Sequence, residues 1–311
     1  MKEIIIGQSK LKVKDYHCTC GDLPYLEKEE CKLWLYINLT DGCNACCPFC
    51  VNPSLGKRTV SIDKLKMTLE KIKPLGYGIS ITGGEPMLFP DLVDEVAEVV
   101  DTIFDNGVQL DLATNGTNLD LLLKLKMFDR FESIHISRHK IIDEANRELM
   151  GFNSPLWEDI RHLIERIDDK AKIVLNCVMQ RSGVDSVKEV SNFLEESVRA
   201  GVKNVSFVGL IRANDYCTEN YLNPAQLDFG NDERFSIWNK HYDYNFCSCS
   251  NGAYSTTNGI VRFYYRCPDV KSASYCRQLV YSTDNKLLDG FDGNEILFSE
   301  LKNDVDEMLE K

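Results

Sequence analysis

Apolar residues in this chain alternate between two patterns. Six short, near-continuous apolar runs are rich in β-branched or aromatic residues and read as strands. They are LWLYINL (Leu33 to Leu39), YGISIT (Tyr77 to Thr82), VQLDLAT (Val108 to Thr114), SIHIS (Ser133 to Ser137), KIVLNCV (Lys172 to Val178) and KNVSFVGL (Lys203 to Leu210). Between them apolar positions return every three or four residues, the spacing of a one-sided helix. Leu92, Val93, Val96, Val99, Val100, Ile103 and Phe104 form one such stripe. It opens at Pro90 and stops near Gly107, the expected asymmetry of helix ends. Trp157, Ile160, Leu163, Ile164 and Ile167 form another behind Ser154-Pro155. Further helices are predicted over 61–73, 118–128 and 186–200. Strands separated by helices predict a parallel sheet, because parallel neighbours need a crossover connection. Function in such a sheet gathers at the C-terminal ends of the strands.

The rhythm fails at both ends of the chain, which predicts three segments: 1–32, 33–212 and 213–311. Residues 1–32 read as a terminal hairpin or cap. Their Cys18, Cys20 and Cys31 are free thiols, with a Cys18/Cys20 metal pair as the alternative. From about Asp215 the sequence turns rich in Tyr, Asn and Cys. Within FCSCSNGAYSTTNGIVRFYYRCP, Asn258-Gly259 between two β-prone runs predicts a hairpin.

Composition narrows the class. A chain of 311 residues can bury a large core without disulfides. Its formal net charge of −12 argues against non-specific nucleic-acid binding, which needs basic surface. No stretch approaches the roughly 20 apolar residues of a membrane span, and MKEIIIGQSK is too weakly apolar for a signal peptide. With 13 Cys, several of them clustered, the expectation is a cytoplasmic, metal-binding protein and not a disulfide scaffold.

The chemistry concentrates in CNACCPFC, directly after the first predicted strand. Cys43, Cys47 and Cys50 have the spacing C-x3-C-x2-C. Soft thiolates at such spacing favour iron–sulfur clusters or zinc. Three ligands are one fewer than a closed [4Fe–4S] site uses, so one iron would stay open to an external molecule. Cys46 reads as a bystander in the same loop. One β-α unit downstream lies ITGGEPML (Ile81 to Leu88), where Gly83 and Gly84 at a strand end allow close backbone approach. A zinc knuckle or a redox thiol pair would account for the cysteines, but not for GGEP.

Together, the Cys triad, the aromatic Phe49 before its last member, and GGEP resemble the radical S-adenosylmethionine (radical SAM) superfamily. The resemblance implies an α/β fold: a partial (β/α)6 radical SAM barrel, here followed by a small Cys-rich β-hairpin extension. It implies a [4Fe–4S] cluster on Cys43, Cys47 and Cys50, with SAM on the open iron. The turn Gly83, Gly84, Glu85 and Pro86 would hold the SAM amino group through backbone carbonyls, with Glu85 in support. Asn115 and Ser137 occupy strand-end positions that often contact SAM in this family. Arg138 is expected to pair with the SAM carboxylate through its planar fork. His139 is expected to act as acid or base toward substrate. Cys217 would return a hydrogen atom to a substrate radical, as a lone Cys does in radical SAM epimerases.

Cys247, Cys249, Cys267 and Cys276 look like the auxiliary-cluster extension of twitch or SPASM type. That implies a second [4Fe–4S] cluster, with zinc as the alternative. The implied activity is reductive cleavage of SAM to a 5′-deoxyadenosyl radical that abstracts hydrogen from a substrate C–H bond; the cofactors do this chemistry and the protein orients them. A reductant such as flavodoxin or ferredoxin is the implied partner. The leading substrate expectation is a peptide, crosslinked or epimerised. A nucleotide or sugar is the second, and a non-catalytic iron–sulfur sensor the third.

Overall fold

The computed structural model describes residues 2–13, 33–51, 56–73, 77–105, 107–223, 227, 239–245, 250–255, 259–264, 278–291 and 293–297. The chain opens on an antiparallel pair, β1 (Lys2–Ile6) and β2 (Ser9–Val13). The six apolar runs then form β3 (Leu33–Asn38), β4 (Tyr77–Thr82), β5 (Gln109–Thr114), β6 (Ser133–Ser137), β7 (Ile173–Met179) and β8 (Asn204–Gly209). They pair in sequence order, each parallel to the next. The crossovers carry α1 (Ile62–Ile72), α2 (Pro90–Phe104), α3 (Leu119–Leu122), α4 (Asp143–Met150), α5 (Trp157–Glu165) and α6 (Val187–Arg199). A short α7 (Asp215–Glu219) follows β8.

Side chains alternate across a strand, so each strand writes one line on each face of the sheet. The outer lines are aliphatic and aromatic. Ile37, Ile81, Leu112, Ile136 and Phe207 are fully buried there. Phe193 of α6 meets Phe207 edge-on at 5.5 Å, and Trp157 of α5 meets Phe193 at 5.4 Å, so this is the face the helices cover. Each fully buried aliphatic or aromatic side chain contributes roughly 1.5–3 kcal/mol relative to exposure. The inner lines carry polar groups among apolar ones: Ser80, Asp111, His135, Asn176 and Ser206 alternate with those outer residues. A parallel sheet with helices outside and polar groups inside is the layout of an open, partial barrel, as the sequence predicted.

The sheet does not stop at six strands. Residues beyond 212 flank it on both edges. On one side β12 (Gln278–Tyr281) lies parallel to β3, followed by β13 (Leu287–Leu288). On the other, β11 (Ile260–Tyr264) lies parallel to β8, then β10 (Ser250–Ser255) and β9 (Asn239–Asn245). The predicted hairpin is β10–β11, with Ser255 paired to Ile260 and Gly259 in the connection.

Two helices differ from expectation. The stretch 118–128 gives only the four-residue α3 and a later turn, Phe128–Arg130. The reason is Asp94 on α2, whose carboxylate accepts the backbone N–H groups of Lys126 and Met127 at 3.0 Å and draws the chain out of the helix. The helix α4 was not predicted, since DEANRELM shows little apolar periodicity. Among the described residues no helix is long and apolar enough to cross a membrane.

Candidate functional site

The Cys loop and the GGEP turn meet at the C-terminal ends of β3, β4 and β5. Backbone bonds join them directly: Gly84 N–H donates to Thr40 O at 2.7 Å and Glu85 N–H to Gly42 O at 2.8 Å. This approach needs glycine. A Cβ on Gly84 would lie 2.1 Å from the Gly42 carbonyl oxygen, and Gly83 has φ +130° with the Thr40 carbonyl 2.8 Å from a Cβ position. The Glu85 carboxylate is fully buried and faces away, toward β5. It accepts Met87 N–H at 2.8 Å, the Thr114 hydroxyl at 2.6 Å and Asn115 N–H at 2.6 Å. Glu85 therefore fixes the turn, and burial raises its pKa to about 7 against the pull of those three donors. Pro86 opens the short helical turn Pro86–Leu88 that follows.

The Cys loop is seated on α4. Cys46 N–H donates to Met150 O at 2.9 Å, and the Cys47 thiol lies 3.8 Å from the same carbonyl. The Cys46 sulfur turns to Gly151 O, 3.7 Å away. The thiols feel one another. Burial, then Cys50 and Cys43, push Cys47 to about 12; burial, then Glu85 and Cys50, raise Cys43. Neutral thiols of this kind ionise when a cation binds them, so the donor set fits a metal cluster. No three His, Cys, Asp or Glu among the described residues converge on one point as a single ion requires. A cubane offers a different iron to each thiolate and asks for a wider spread, so the spacing suits a cluster better than zinc.

The remaining predicted residues divide. Asn115, at the end of β5, reaches back to the Cys loop: its amide donates to Asn44 Oδ1 at 2.9 Å and lies 3.9 Å from Cys43 Sγ. Ser137 ends β6 beside Asn176, at the same end of the sheet. Phe49 packs edge-on against His139 at 4.8 Å.

Three residues have other work than expected. Arg138 is fully buried and spends its guanidinium on Asp143 at 2.5 Å and on the Pro155 and Ile141 carbonyls at 3.0 Å, stacked 4.0 Å over Trp157. It pins the α4–α5 connection, and both terminal nitrogens of the fork are taken. His139 is buried, its Nδ1 accepting Val178 N–H at 3.1 Å; burial, then Arg138, lowers its pKa to about 3. It is a neutral packing group, unsuited to proton transfer near neutrality. Cys217 is fully buried with its thiol 3.6 Å from Phe49 O, packed against the Cys loop. Cys247, Cys249, Cys267 and Cys276, like Cys18, Cys20 and Cys31, lie outside the described residues.

Several contributors were not singled out from sequence. Thr114, Asn44 and Met150 hold the loop and the turn through the bonds above. Asn214, which caps α7, donates to Pro48 O at 3.0 Å and accepts Cys217 N–H at 2.8 Å, clasping the loop from behind. The Asn-Asp pair that opens α7 is an N-cap signal, but nothing in the sequence aims it at Pro48.

A profile of the radical SAM superfamily matches residues 37–194, half of the chain. The chain belongs to the radical SAM superfamily. Membership implies a [4Fe–4S] cluster and SAM as cofactors. Among curated proteins, the chain is 26% identical over 191 residues to GTP 3′,8-cyclase of Aquifex aeolicus, covering 58% of each chain. It is 25% identical over 199 residues to PqqA peptide cyclase of Methylorubrum populi, covering 62% of this chain and 49% of the relative. The chain thus spans about half the length of the curated relatives it matches. Among solved structures, Streptococcus suis SuiB is 19% identical with TM-score 0.46, covering 60% of this chain and 41% of SuiB.

Proposed function

We propose that this radical SAM protein is an enzyme that modifies a peptide at an unactivated C–H bond. The observation that carries the enzyme reading is the join between the Cys loop and the GGEP turn, with Glu85 N–H on Gly42 O at 2.8 Å. It sets three thiols beside a turn whose free edge faces the same strand ends. When bound, the cluster and SAM supply one-electron reductive cleavage to a 5′-deoxyadenosyl radical. This chain's part is to hold the cluster on Cys43, Cys47 and Cys50, to present the Gly83–Gly84 backbone to the SAM amino group, and to keep the turn rigid through Glu85. The peptide reading draws on the relative named PqqA peptide cyclase. A second reading, a nucleotide substrate, draws on the relatives named GTP 3′,8-cyclase and S-adenosylmethionine-dependent nucleotide dehydratase. A reductant of flavodoxin or ferredoxin type would supply the electron. A second cluster on Cys247, Cys249, Cys267 and Cys276 belongs to the same proposal, as does a cytoplasmic site of action.

The test is an iron and sulfide count with a 5′-deoxyadenosine assay on anaerobically reconstituted protein, beside the Cys43/Cys47/Cys50→Ala variant. About four irons lost in the variant, together with deoxyadenosine formation, supports the reading. About four more irons that survive in the variant support the second cluster. Iron-free protein that forms no deoxyadenosine overturns the enzyme reading. Stimulation by peptides or by nucleotides separates the two substrates.

A further inference from the structure

The inner face of the sheet carries a polar strip that neither the Cys loop nor the GGEP turn uses. It runs across four strands: Asp111 on β5, Ser133 and His135 on β6, Asn176 on β7 and Ser206 on β8. The parallel register places Asp111 beside Ser133, and Asn176 beside Ser206. Contacts continue along it. His135 Nε2 and Ser133 Oγ are 2.8 Å apart, His135 Nδ1 and Asn176 Oδ1 are 3.2 Å apart, and His135 Nε2 stands 3.8 Å from Asp111 Oδ2. The apolar residues that alternate with these lie under the helices, so the strip faces the barrel interior. Asp111 is three residues before Thr114, roughly 10 Å of strand below the site at the C-terminal ends.

Acceptors on this face are left poorly answered. Asp111 is 5% exposed. Among the described residues its carboxylate receives only the Gln109 amide, at 3.4 and 3.5 Å, the outer limit of a hydrogen bond. A carboxylate has about four acceptor sites, and burying it without donors is costly. Ser206 Oγ is fully buried with no partner among the described residues. Asn38 Oδ1, on the inner line of β3, is likewise buried with no partner among the described residues. Native proteins leave few such groups, and three on one face point to a missing ligand. Gln109, Ser133 and Asn176 are only half-buried, so the strip is reachable.

We propose that this strip is a binding subsite for the donor-bearing part of the substrate, a protonated amine or a guanidinium set against Asp111. Ser206, three strands along, and Asn38, two strands the other way, would meet polar atoms elsewhere on a larger molecule. Asp111 stands at the β5 end of the strip, and Arg262 of β11 is in register with Ser206 at the other end. The assignment deepens the reading of this site as the place of reaction and rests on it for the ligand's identity as substrate.

The experiment titrates the reconstituted full chain with methylguanidinium, and in parallel with acetate, following the imidazole resonances of His135. Methylguanidinium is expected to shift them saturably with a dissociation constant on the order of millimolar, the strength a fragment of this size reaches. Acetate is expected to give no saturable shift. Asp111→Asn is expected to weaken methylguanidinium about tenfold, the loss of a charge-assisted hydrogen bond. Its circular dichroism and iron content serve as folding controls. Should Asp111→Asn fail to fold, Asp111→Ser replaces it, with weaker binding again expected. No saturable shift, an equal response to acetate, or equal binding by a folded variant overturns the subsite. Deoxyadenosine formation on the same sample separates the two ideas. Protein that cleaves SAM but ignores methylguanidinium loses only the subsite, and protein that binds it but cannot cleave SAM loses only the enzyme reading.

Discussion

The Glu85 carboxylate accepts the backbone N–H of Asn115 at 2.6 Å, a contact across 30 residues that ties the GGEP turn to the end of β5. The acidic residue of the motif thus works as a staple between the turn and the neighbouring strand.

That staple titrates. The unfolded chain releases the Glu85 proton near 4.5 and the folded chain near 7. Between those values the folded state holds more proton, so stability falls as pH rises through the window. The full effect is about 3 kcal/mol. Urea unfolding of the metal-free protein is expected to show this loss in the wild type and to lack it in Glu85→Gln. Parallel pH curves for the two proteins would sink the assignment.

His139 gives the opposite slope. Its folded pKa, about 3, lies below the ordinary value of 6.5, because burial and then Arg138 disfavour the charged ring. The stability it contributes is complete above 6.5 and is lost as pH falls toward 3. His139→Gln is expected to cost about 1–3 kcal/mol at neutral pH by disturbing the acceptor for Val178 N–H, and to flatten the acid limb. Acid unfolding followed by circular dichroism decides it, and an unchanged acid limb counts against a buried neutral imidazole.

Cys46 and Cys47 should behave differently despite adjacency. Cys46 points to Gly151 O, whereas Cys47 is electrostatically coupled to Cys50 and Cys43. Cys46→Ser is expected to keep the wild-type iron content and Cys47→Ser to lose the cluster. Iron counts after reconstitution test this, and the reverse result would move the ligand to Cys46.

Asn214 separates capping from clasping. Asn214→Ala loses both the bond to Cys217 N–H and that to Pro48 O, at about 1 kcal/mol for the cap. Asn214→Asp keeps the cap and loses the donor to Pro48. Both variants are expected to release iron to a chelator several-fold faster, with only the Ala variant less stable to urea. Equal iron release from wild type and Asn214→Asp would remove the clasp.

The order of strands and helices was legible because a buried parallel strand must be apolar along its length and a covering helix apolar on one side. SIHIS was bounded to the residue, since polar turns flank a short run. The helix over 118–128 was not, because Asp94 on another element captures its amides, and no local pattern records that capture. α4 was missed for the converse reason: it carries few apolar residues and is held by the Cys loop and by Asn146, whose amide bonds Ser154 at 2.9 Å. Arg138 reads in sequence like a free cation after a strand. Only the tertiary contact with Asp143 and Trp157 shows it already spent.

The sequence by itself determined the fold class and the superfamily. Strand periodicity, the C-x3-C-x2-C spacing and GGEP are local, and local chemistry is written in neighbouring residues. Tertiary structure decided what each neighbour of that loop does. Whether a side chain is free depends on partners 30 to more than 160 residues away, as with Glu85 and Asn115 or Cys217 and Phe49. It also decided that the chain beyond 212 flanks both edges of the sheet, and that Asp111, Ser206 and Asn38 share one under-satisfied face. Burial and hydrogen-bond satisfaction are properties of the packed whole, and no run of residues carries them alone.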